Sequence, residues 1–441
     1  MNRNVAMKRL LAVLALVFVL SGCTTIKGWF GSKTDDKKAT EPAELTDITP
    51  SVKVTKLWSA NAGKGEGRLG LQQGPAVADG RVYAAAVEGG VRAFDLQTGK
   101  QVWEYEPEKR RGDAPGSSSG QVADEPAAGE EETKAAKRAR KEAAKLAKKA
   151  AKRKIEWRFS GGPGAGDGLV AIGTLDGQVI ALDASSGTEK WRAKVSSEVI
   201  TAPVIGQGLV LVRTNDGRVT ALDAGNGERR WFYASELPSL TVRGNAPVTI
   251  GPGVAFVGND DGTLSALSLA DGREVWGQAI GAPEGRTELD RMADVDGAPV
   301  LDGTTVYATS FKKQTMALEG PSGRPLWRKD NGGAGGLGVT SSLVVVSDPA
   351  GTVWGLDRFS GSATWSNPAL ARRSLTGPSI QGDYAVVGDL DGYVHWMKLD
   401  TGEFAARERA GGDPIRAKPV VVDGILLVQN VDGQITAFGL Q

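Results

Sequence analysis

Short apolar runs separated by turn residues recur along most of the chain. Runs such as Leu209–Val212 and Leu343–Val346 are made of valine and leucine, which favours short β-strands. An Asp-Gly hairpin signal follows, then a second strand such as Gln178–Leu182. An Asp-x-x-(Ser/Asn/Thr)-Gly turn leads into a strand that carries a tryptophan, and an Ala-Pro-Val segment opens the next unit. Each unit therefore predicts four short antiparallel strands.

The unit is an internal repeat with a period of about 40 residues. A seventh copy has Ala406 where the tryptophan is expected, and an eighth stops at Gln441. Four antiparallel strands per repeat are typical of a β-propeller blade. The first six copies span residues 88–103, 175–191, 215–231, 260–276, 311–327 and 349–365.

One residue column fixes the register of these copies. Its members are small with one exception, and a tryptophan follows each of the first six ten positions later. A small residue paired with an indole lets neighbouring blades approach closely. The column is Ala93, Ala181, Ala221, Ala266, Ala317, Gly355, Trp396 and Ala437.

The two ends of the repeat region complete each other. The eighth copy ends before its tryptophan strand, whereas Val54–Trp58 is a strand with no Asp-Gly unit before it. Joining them in one sheet removes an exposed edge. The sequence thus predicts an all-β, eight-bladed β-propeller over residues 51–441, closed by the N- and C-terminal strands in one blade.

The N-terminus predicts the compartment. Lys8 and Arg9 precede an apolar run over 10–20, which is too short to cross a hydrocarbon core of about 30 Å. Residues 1–22 therefore predict a signal peptide. The run ends in Leu-Ser-Gly-Cys23, which resembles the lipobox of bacterial lipoproteins and implies acylation of Cys23. Thr24, the residue after the cysteine, favours anchoring in the outer membrane, on its periplasmic face. The polar residues 23–50 predict a lipidated flexible tether.

Composition narrows the chemistry. The 60 glycines are accounted for by the turns, and one cysteine excludes an internal disulfide. The single histidine, His395, lies within a predicted strand, which favours packing over catalysis. No nucleophile elbow or phosphate loop is present in the sequence. We therefore predict no catalytic residue, no cofactor and no metal site.

The net charge of +1 conceals a basic insertion. Residues 108–154 carry 14 basic and 8 acidic side chains, or +6, so the remainder carries −5. A Pro/Gly/Ser-rich linker precedes 134–154, whose Ala, Lys and Arg predict a helix of charge +10. Because it has no apolar face, a solvated helix is the favoured interpretation. Anionic lipid or lipopolysaccharide head groups, or an acidic partner, are the alternatives, and nucleic acid is not expected in the periplasm.

Two connections between blades are expanded. Trp231–Pro247 takes 16 residues and Trp276–Pro299 takes 23, against 12 for Trp191–Pro203. Because they occupy equivalent positions in successive blades, the two loops should lie side by side on one face. They combine apolar and charged residues, which is typical of a protein-docking surface. Alternatively, their leucines plug the blade junction and their aspartates cap turns. These residues are Leu237, Leu240, Val242, Arg243, Asp290, Asp294 and Asp296.

The repeat resembles that of pyrroloquinoline-quinone (PQQ) dehydrogenases. Those enzymes also have a vicinal cysteine pair and a calcium site that holds the quinone, whereas the only cysteine here is assigned to the anchor. We take the resemblance as one of fold, because a scaffold does not carry activity. A periplasmic PQQ-dependent dehydrogenase-like enzyme is the alternative.

The lipobox, the tether, the eight blades and the stretches 238–244 and 288–296 together resemble the BamB family, the propeller lipoproteins of the outer-membrane β-barrel assembly (BAM) complex. The resemblance implies a non-enzymatic scaffold that binds periplasmic POTRA domains of the insertase BamA and assists folding and insertion of outer-membrane proteins. It implies a monomer within a hetero-complex, with nascent outer-membrane proteins as an optional further partner. Val242 departs from the leucine expected there. The contacts carried over are Leu240, Val242, Arg243, Asp294 and Asp296.

Overall fold

A computed structural model describes residues 40–66, 69–107, 157–238, 240, 246–281, 286–287, 292–311 and 314–441. Cys23 with the signal peptide, the insertion 108–154 with its predicted helix, and the loop residues Val242 and Arg243 lie outside these ranges. Within them, no helix is both long enough and apolar enough to cross a membrane.

The described residues form eight four-stranded antiparallel sheets, each built from one sequence repeat, which confirms the eight-bladed β-propeller. We number the blades from the first repeat and the strands along the chain. Blades 1–4 are β2 (Ala76–Ala78), β3 (Arg81–Ala85), β4 (Val91–Asp95), β5 (Gln101–Tyr105); β6 (Phe159–Gly166), β7 (Leu169–Thr174), β8 (Gln178–Asp183), β9 (Glu189–Lys194); β10 (Val204–Gly206), β11 (Leu209–Arg213), β12 (Arg218–Asp223), β13 (Arg229–Ala234); and β14 (Thr249–Gly251), β15 (Val254–Gly258), β16 (Thr263–Ser268), β17 (Glu274–Ala279).

The remaining four blades follow the same order, except that blade 8 takes its outermost strand, β1, from the N-terminus. Their strands are β18 (Val300–Asp302), β19 (Thr305–Thr309), β20 (Thr315–Glu319), β21 (Pro325–Lys329); β22 (Leu337–Val339), β23 (Leu343–Ser347), β24 (Val353–Asp357), β25 (Ala363–Asn367); β26 (Ser379–Gln381), β27 (Tyr384–Gly388), β28 (Tyr393–Lys398), β29 (Phe404–Arg409); and β30 (Val420–Val422), β31 (Ile425–Gln429), β32 (Gln434–Leu440), β1 (Val54–Asn61).

The predicted closure of the ring is confirmed. β1 pairs antiparallel with β32, from Val54 opposite Leu440 to Asn61 opposite Gln434, with one irregularity near Trp58. Both chain ends therefore contribute to one sheet, and opening the ring requires breaking that pairing.

In seven of the eight blades, a tryptophan on the outermost strand joins the blade to the next one. The Trp191 indole Nε1 donates to the Ala224 carbonyl of blade 3 at 2.8 Å. The same ring covers Gly227 in the Asp-x-x-x-Gly turn, where a Cβ would lie 2.5 Å from it. Gly227 also has a φ of 75°, so glycine serves both the turn and the contact. The same bond is made by Trp58, Trp103, Trp231, Trp276, Trp327 and Trp365.

Blade 7 exchanges the two members of this pair. Trp396 stands in the small-residue column, directly opposite Ala406 on the neighbouring strand. Its indole donates to Gln381 Oε1 at 2.7 Å and meets the Phe438 ring edge-on, with centroids 5.6 Å apart. The exchange keeps the pair's volume and moves the indole inward.

Part of the segment predicted as flexible tether lies on the propeller. The Ala43 N–H donates to the Ala371 carbonyl at 2.9 Å, and the Ser51 N–H to Ala405 at 2.8 Å. Leu45 packs against the apolar cluster between blades 6 and 7. The structure thus differs from the predicted boundary between tether and propeller at residue 50. A polar composition does not reveal that the backbone of this segment is hydrogen-bonded to the propeller.

Candidate functional site

The two expanded loops follow β13 and β17, the outermost strands of blades 3 and 4. Each runs to the innermost strand of the next blade, so both leave from the same face of the ring and are neighbours, as the spacing predicts. Leu240 in the first loop is exposed. Leu237 is also exposed, and its side chain reaches the Asp-Gly hairpin of blade 3 at Gly217.

The aspartates of the second loop lie beneath this surface. Asp294 and Asp296 are both buried, with 0% and 6% of their surface accessible. The backbone holds them there, because the Phe311 N–H donates to the Asp294 carbonyl at 2.8 Å and the Val295 N–H to Asn259 at 3.1 Å. The sequence placed both aspartates at the docking surface, whereas the structure puts their carboxylates under it.

Two further charged residues share this buried site. Arg213, at the end of β11, pairs with Asp260 at 2.5 Å, and both side chains are buried. Neither residue is among those predicted from the sequence, because Asp260 stands directly before an Asp-Gly hairpin signal of its repeat. The available signal was Arg213 itself, an arginine ending an otherwise apolar strand.

The buried site carries an excess of negative charge. Among the described residues it holds three carboxylates, those of Asp260, Asp294 and Asp296, around one guanidinium, that of Arg213. Burial raises the pKa of Asp296 well above its ordinary value, and Asp294 and Asp260 add to that effect while Arg213 opposes it. Burial also raises the pKa of Asp260, although Arg213 limits the rise. A proton or another cation is therefore favoured here.

An exposed aromatic side chain extends the loop surface onto the outer wall. Phe232 on β13 lies three residues before the first loop, and 54% of its surface is accessible. The guanidinium carbons of Arg218 and Arg229 lie 5.8 and 5.5 Å from its ring centroid. Together with Lys194 of blade 2 they line a groove of about 330 Å³. An exposed ring between arginines has the composition of a protein-binding hot spot.

The central axis holds a separate cavity of about 520 Å³, lined by the innermost strands. Lys418 lies in its wall and donates to the Leu337 carbonyl at 2.7 Å, and burial lowers the lysine's pKa to about 8. Asp296 lines the same cavity. Among the described residues, no group of three or more His, Cys, Asp or Glu side chains is arranged to hold a metal ion.

His395 is packed, as its place in a strand indicates. It is fully buried, and its Nε2 lies 2.9 Å from Asp389 Oδ2. Burial lowers the pKa of the imidazole.

Comparison with known proteins identifies relatives along the whole chain. The sequence profile of a family described as "Outer membrane protein assembly factor BamB" matches residues 51–131 and 141–367. The protein of that name from Xanthomonas campestris is 62% identical over 442 residues, covering 100% of both chains. Its namesakes from Pseudomonas aeruginosa and Escherichia coli are 35% and 33% identical, covering 98% and 97% of this chain and 98% of each relative.

Solved structures share the fold. The crystal structure of BamB from Moraxella catarrhalis superposes with a TM-score of 0.70 at 24% identity, covering 88% of this chain and 100% of that one. A europium-containing methanol dehydrogenase gives a TM-score of 0.62 at 14% identity, covering 90% and 95%. At these identities both likenesses describe the propeller alone.

Proposed function

This chain belongs to the family of outer membrane protein assembly factor BamB, and we propose that it works there as a non-enzymatic scaffold that docks on periplasmic POTRA domains of the insertase BamA. Its role is that of an outer membrane protein assembly factor, associated with the outer membrane and the BAM complex. We further propose that Cys23 carries the lipid anchor and that the propeller faces the periplasm as one subunit of the complex.

One observation carries the docking proposal: the first of the two adjacent loops exposes apolar side chains. Leu237 and Leu240 are exposed there although neither belongs to a blade core. Phe232 with its flanking arginines continues the same surface. Apolar anchors surrounded by charge are the arrangement from which protein interfaces gain most of their affinity.

We assign different roles to the five residues that the family resemblance implies for this surface. Leu240 and Val242 supply apolar contact, and Arg243 supplies a charged one. Asp294 and Asp296 act from beneath, where the buried segment that carries them is hydrogen-bonded through its backbone and forms the base of the second loop. They are thus positioning residues for the surface and do not touch the partner themselves.

The test is binding of purified BamA POTRA domains to the wild type, Leu240→Asp and Arg243→Glu. A matched control is Leu326→Asp, since Leu326 on β21 is 47% exposed against 43% for Leu240 but lies on the outer strand of blade 5. We expect both loop variants to weaken binding at least about tenfold and the control to stay within about twofold. Equal binding by all four proteins would rule out this surface.

The rival function, a quinone-dependent dehydrogenase, is tested separately. Mass spectrometry and absorbance of the purified protein would detect a bound quinone or calcium. Either one at stoichiometric amounts would replace the scaffold proposal with the enzymatic one.

A further inference from the structure

Residues 41–51, which we call the strap, cross the outside of blade 7 and are held through their backbone. Three arginines donate to three strap carbonyls, and two strap N–H groups donate to carbonyls of blade 7 and the connection before it. Leu45 is the strap side chain that packs into an apolar cluster. The arginine contacts are Arg372 Nε to Glu41 O at 2.6 Å, Arg373 Nη1 to Ala43 O at 2.9 Å and Arg407 Nη1 to Thr46 O at 2.8 Å.

The single histidine of the chain lies between two of these arginines. Arg407 Nε donates to His395 Nδ1 at 3.1 Å. On the other side of the ring, His395 Nε2 meets Asp389 Oδ2 at 2.9 Å, and that oxygen also accepts from Arg373 Nε at 2.8 Å. Arg407 and Arg373 are therefore connected to each other through His395 and Asp389, and both reach outward to the strap.

This geometry requires a neutral imidazole. A guanidinium has only donors, so Nδ1 must carry a lone pair to accept from Arg407, and the proton resides on Nε2 facing Asp389. A proton added at Nδ1 would place two N–H groups against each other.

Burial and the two arginines favour the neutral imidazole, whereas Asp389 favours the charged one. Burial lowers the pKa of His395, Asp389 opposes that effect, and Arg407 and Arg373 reinforce it. The pKa of Arg407 is itself lowered, by burial first and then by Arg373. The charged and titratable groups facing this cluster are Asp389, Asp391, Tyr393, Arg373, Arg407 and, from the strap, Asp47.

We propose that blade 7 is a binding groove for an extended polypeptide segment, that the strap is its resident occupant, and that neutral His395 is an acid-sensitive latch. The groove recognises backbone carbonyls and one leucine, which suits an extended segment. A proton taken up at Nδ1 breaks the Arg407 contact and puts three positive groups beside Asp389, so Arg407 moves away and the strap leaves.

Release would lengthen the free connection between β1 of blade 8 and the N-terminus. The 11 strap residues, fully extended, add at most about 37 Å to its reach. If Cys23 is the lipid anchor, the docking face could then stand farther from the membrane. That consequence depends on the proposed function, whereas the latch itself does not.

Hydrogen–deuterium exchange of the full chain in detergent tests the latch without membrane or partner. Peptides covering 41–51 are compared between the wild type and His395→Gln at each pH from 7.5 to 5.0, so that the intrinsic pH dependence of exchange cancels. The strap is bound only when His395 is neutral. The stability of the bound strap is therefore constant above the ordinary histidine pKa of about 6.5 and is lost as the pH falls below that value. We expect strap opening in the wild type to rise up to about 30-fold by pH 5.0 and to stay flat in His395→Gln. Unchanged protection of β27 and β31 would show that the fold is intact.

A second pair of variants keeps the test decisive if His395→Gln folds poorly. Arg407→Leu removes the link to the strap and should raise strap exchange at every pH. Arg409→Leu is the matched control, because Arg409 lies on the same strand and contacts Tyr393 and the Asp391 carbonyl. It should keep the wild-type profile. Parallel pH profiles in the wild type and His395→Gln, or an unprotected strap at pH 7.5, would overturn the proposal.

Discussion

At the scale of single residues, two glycines with the same backbone conformation show that glycine is needed for two different reasons, the geometry of a turn and close packing. Gly208 and Gly227 both have a φ of 75°. A Cβ on Gly208 would meet no atom within 4 Å, whereas one on Gly227 would lie 2.5 Å from the Trp191 ring. The glycine excess of the chain therefore serves two physical requirements, and only the first is visible in a turn motif.

Substituting these two glycines measures the difference. Gly208→Ala should lower the free energy of unfolding by about 1–2 kcal/mol, the cost of a left-handed conformation for an L-residue. Gly227→Ala should cost at least about 2 kcal/mol more, because the displaced indole also loses its bond to Ala224. Urea unfolding of both variants gives the comparison. Equal losses would mean that the indole contact contributes nothing.

Asp296 gives a pH-dependent prediction. Its pKa in the folded chain is raised, so the folded state holds a proton more tightly than the unfolded state, and stability falls as the pH rises from about 4 toward the folded pKa. Asp296→Asn should therefore stabilise the protein at pH 8 and have little effect near pH 4. Unfolding midpoints at the two pH values test this.

The contrasting variant is Asp260→Asn. It leaves the buried Arg213 without its partner and should destabilise the protein by about 3 kcal/mol at pH 8. If Asp296→Asn is equally destabilising, a cation pairs with Asp296 in the folded protein.

At the scale of elements, the exchanged pair in blade 7 follows from the way the blades dock. Each outer tryptophan covers the turn glycine between the third and fourth strands of the next blade. In blade 8 that connection does not exist, because its third strand, β32, ends the chain and its fourth, β1, begins the propeller. An indole at position 406 would have no turn to cover, and Trp396 fills the inner position against Phe438 instead.

A double-mutant cycle tests this explanation. Trp396→Ala should cost about 3–5 kcal/mol, because it empties a fully buried site. Ala406→Trp should cost about 1–3 kcal/mol by overpacking. Trp396→Ala combined with Ala406→Trp restores the order seen in the other blades, and we expect it to recover less than half of the loss. Full recovery in urea unfolding would show that the missing turn is irrelevant.

At the scale of the whole molecule, the basic insertion joins the propeller at the connection between blades 1 and 2. That connection is of the same kind as the two docking loops, so it leaves from the same face. The strands on either side of the insertion are paired within their own blades, β5 with β4 and β6 with β7.

Removing the insertion should therefore leave the fold intact. Replacing residues 108–154 with a short Gly-Ser linker changes the net charge from +1 to −5, and we expect the Tm to move by only a few degrees. Comparing the salt dependence of POTRA binding before and after the deletion would show whether the charge affects docking. A large fall in Tm would show that the insertion packs on the propeller.

The sequence by itself determined the repeat, the number of blades, the closure of the ring and the positions of the two expanded loops. These follow from local turn chemistry and strand patterning, and the same pattern recurs in the residues of every repeat. Only the tertiary structure decided the rest: the burial of Asp294 and Asp296, their meeting with Arg213 and Asp260, and the strap on blade 7. Those features join residues from different blades or distant parts of the chain. The charge state and the exposure of these residues depend on which side chains the closed ring brings together. The spacing of residues along the sequence does not specify those neighbours.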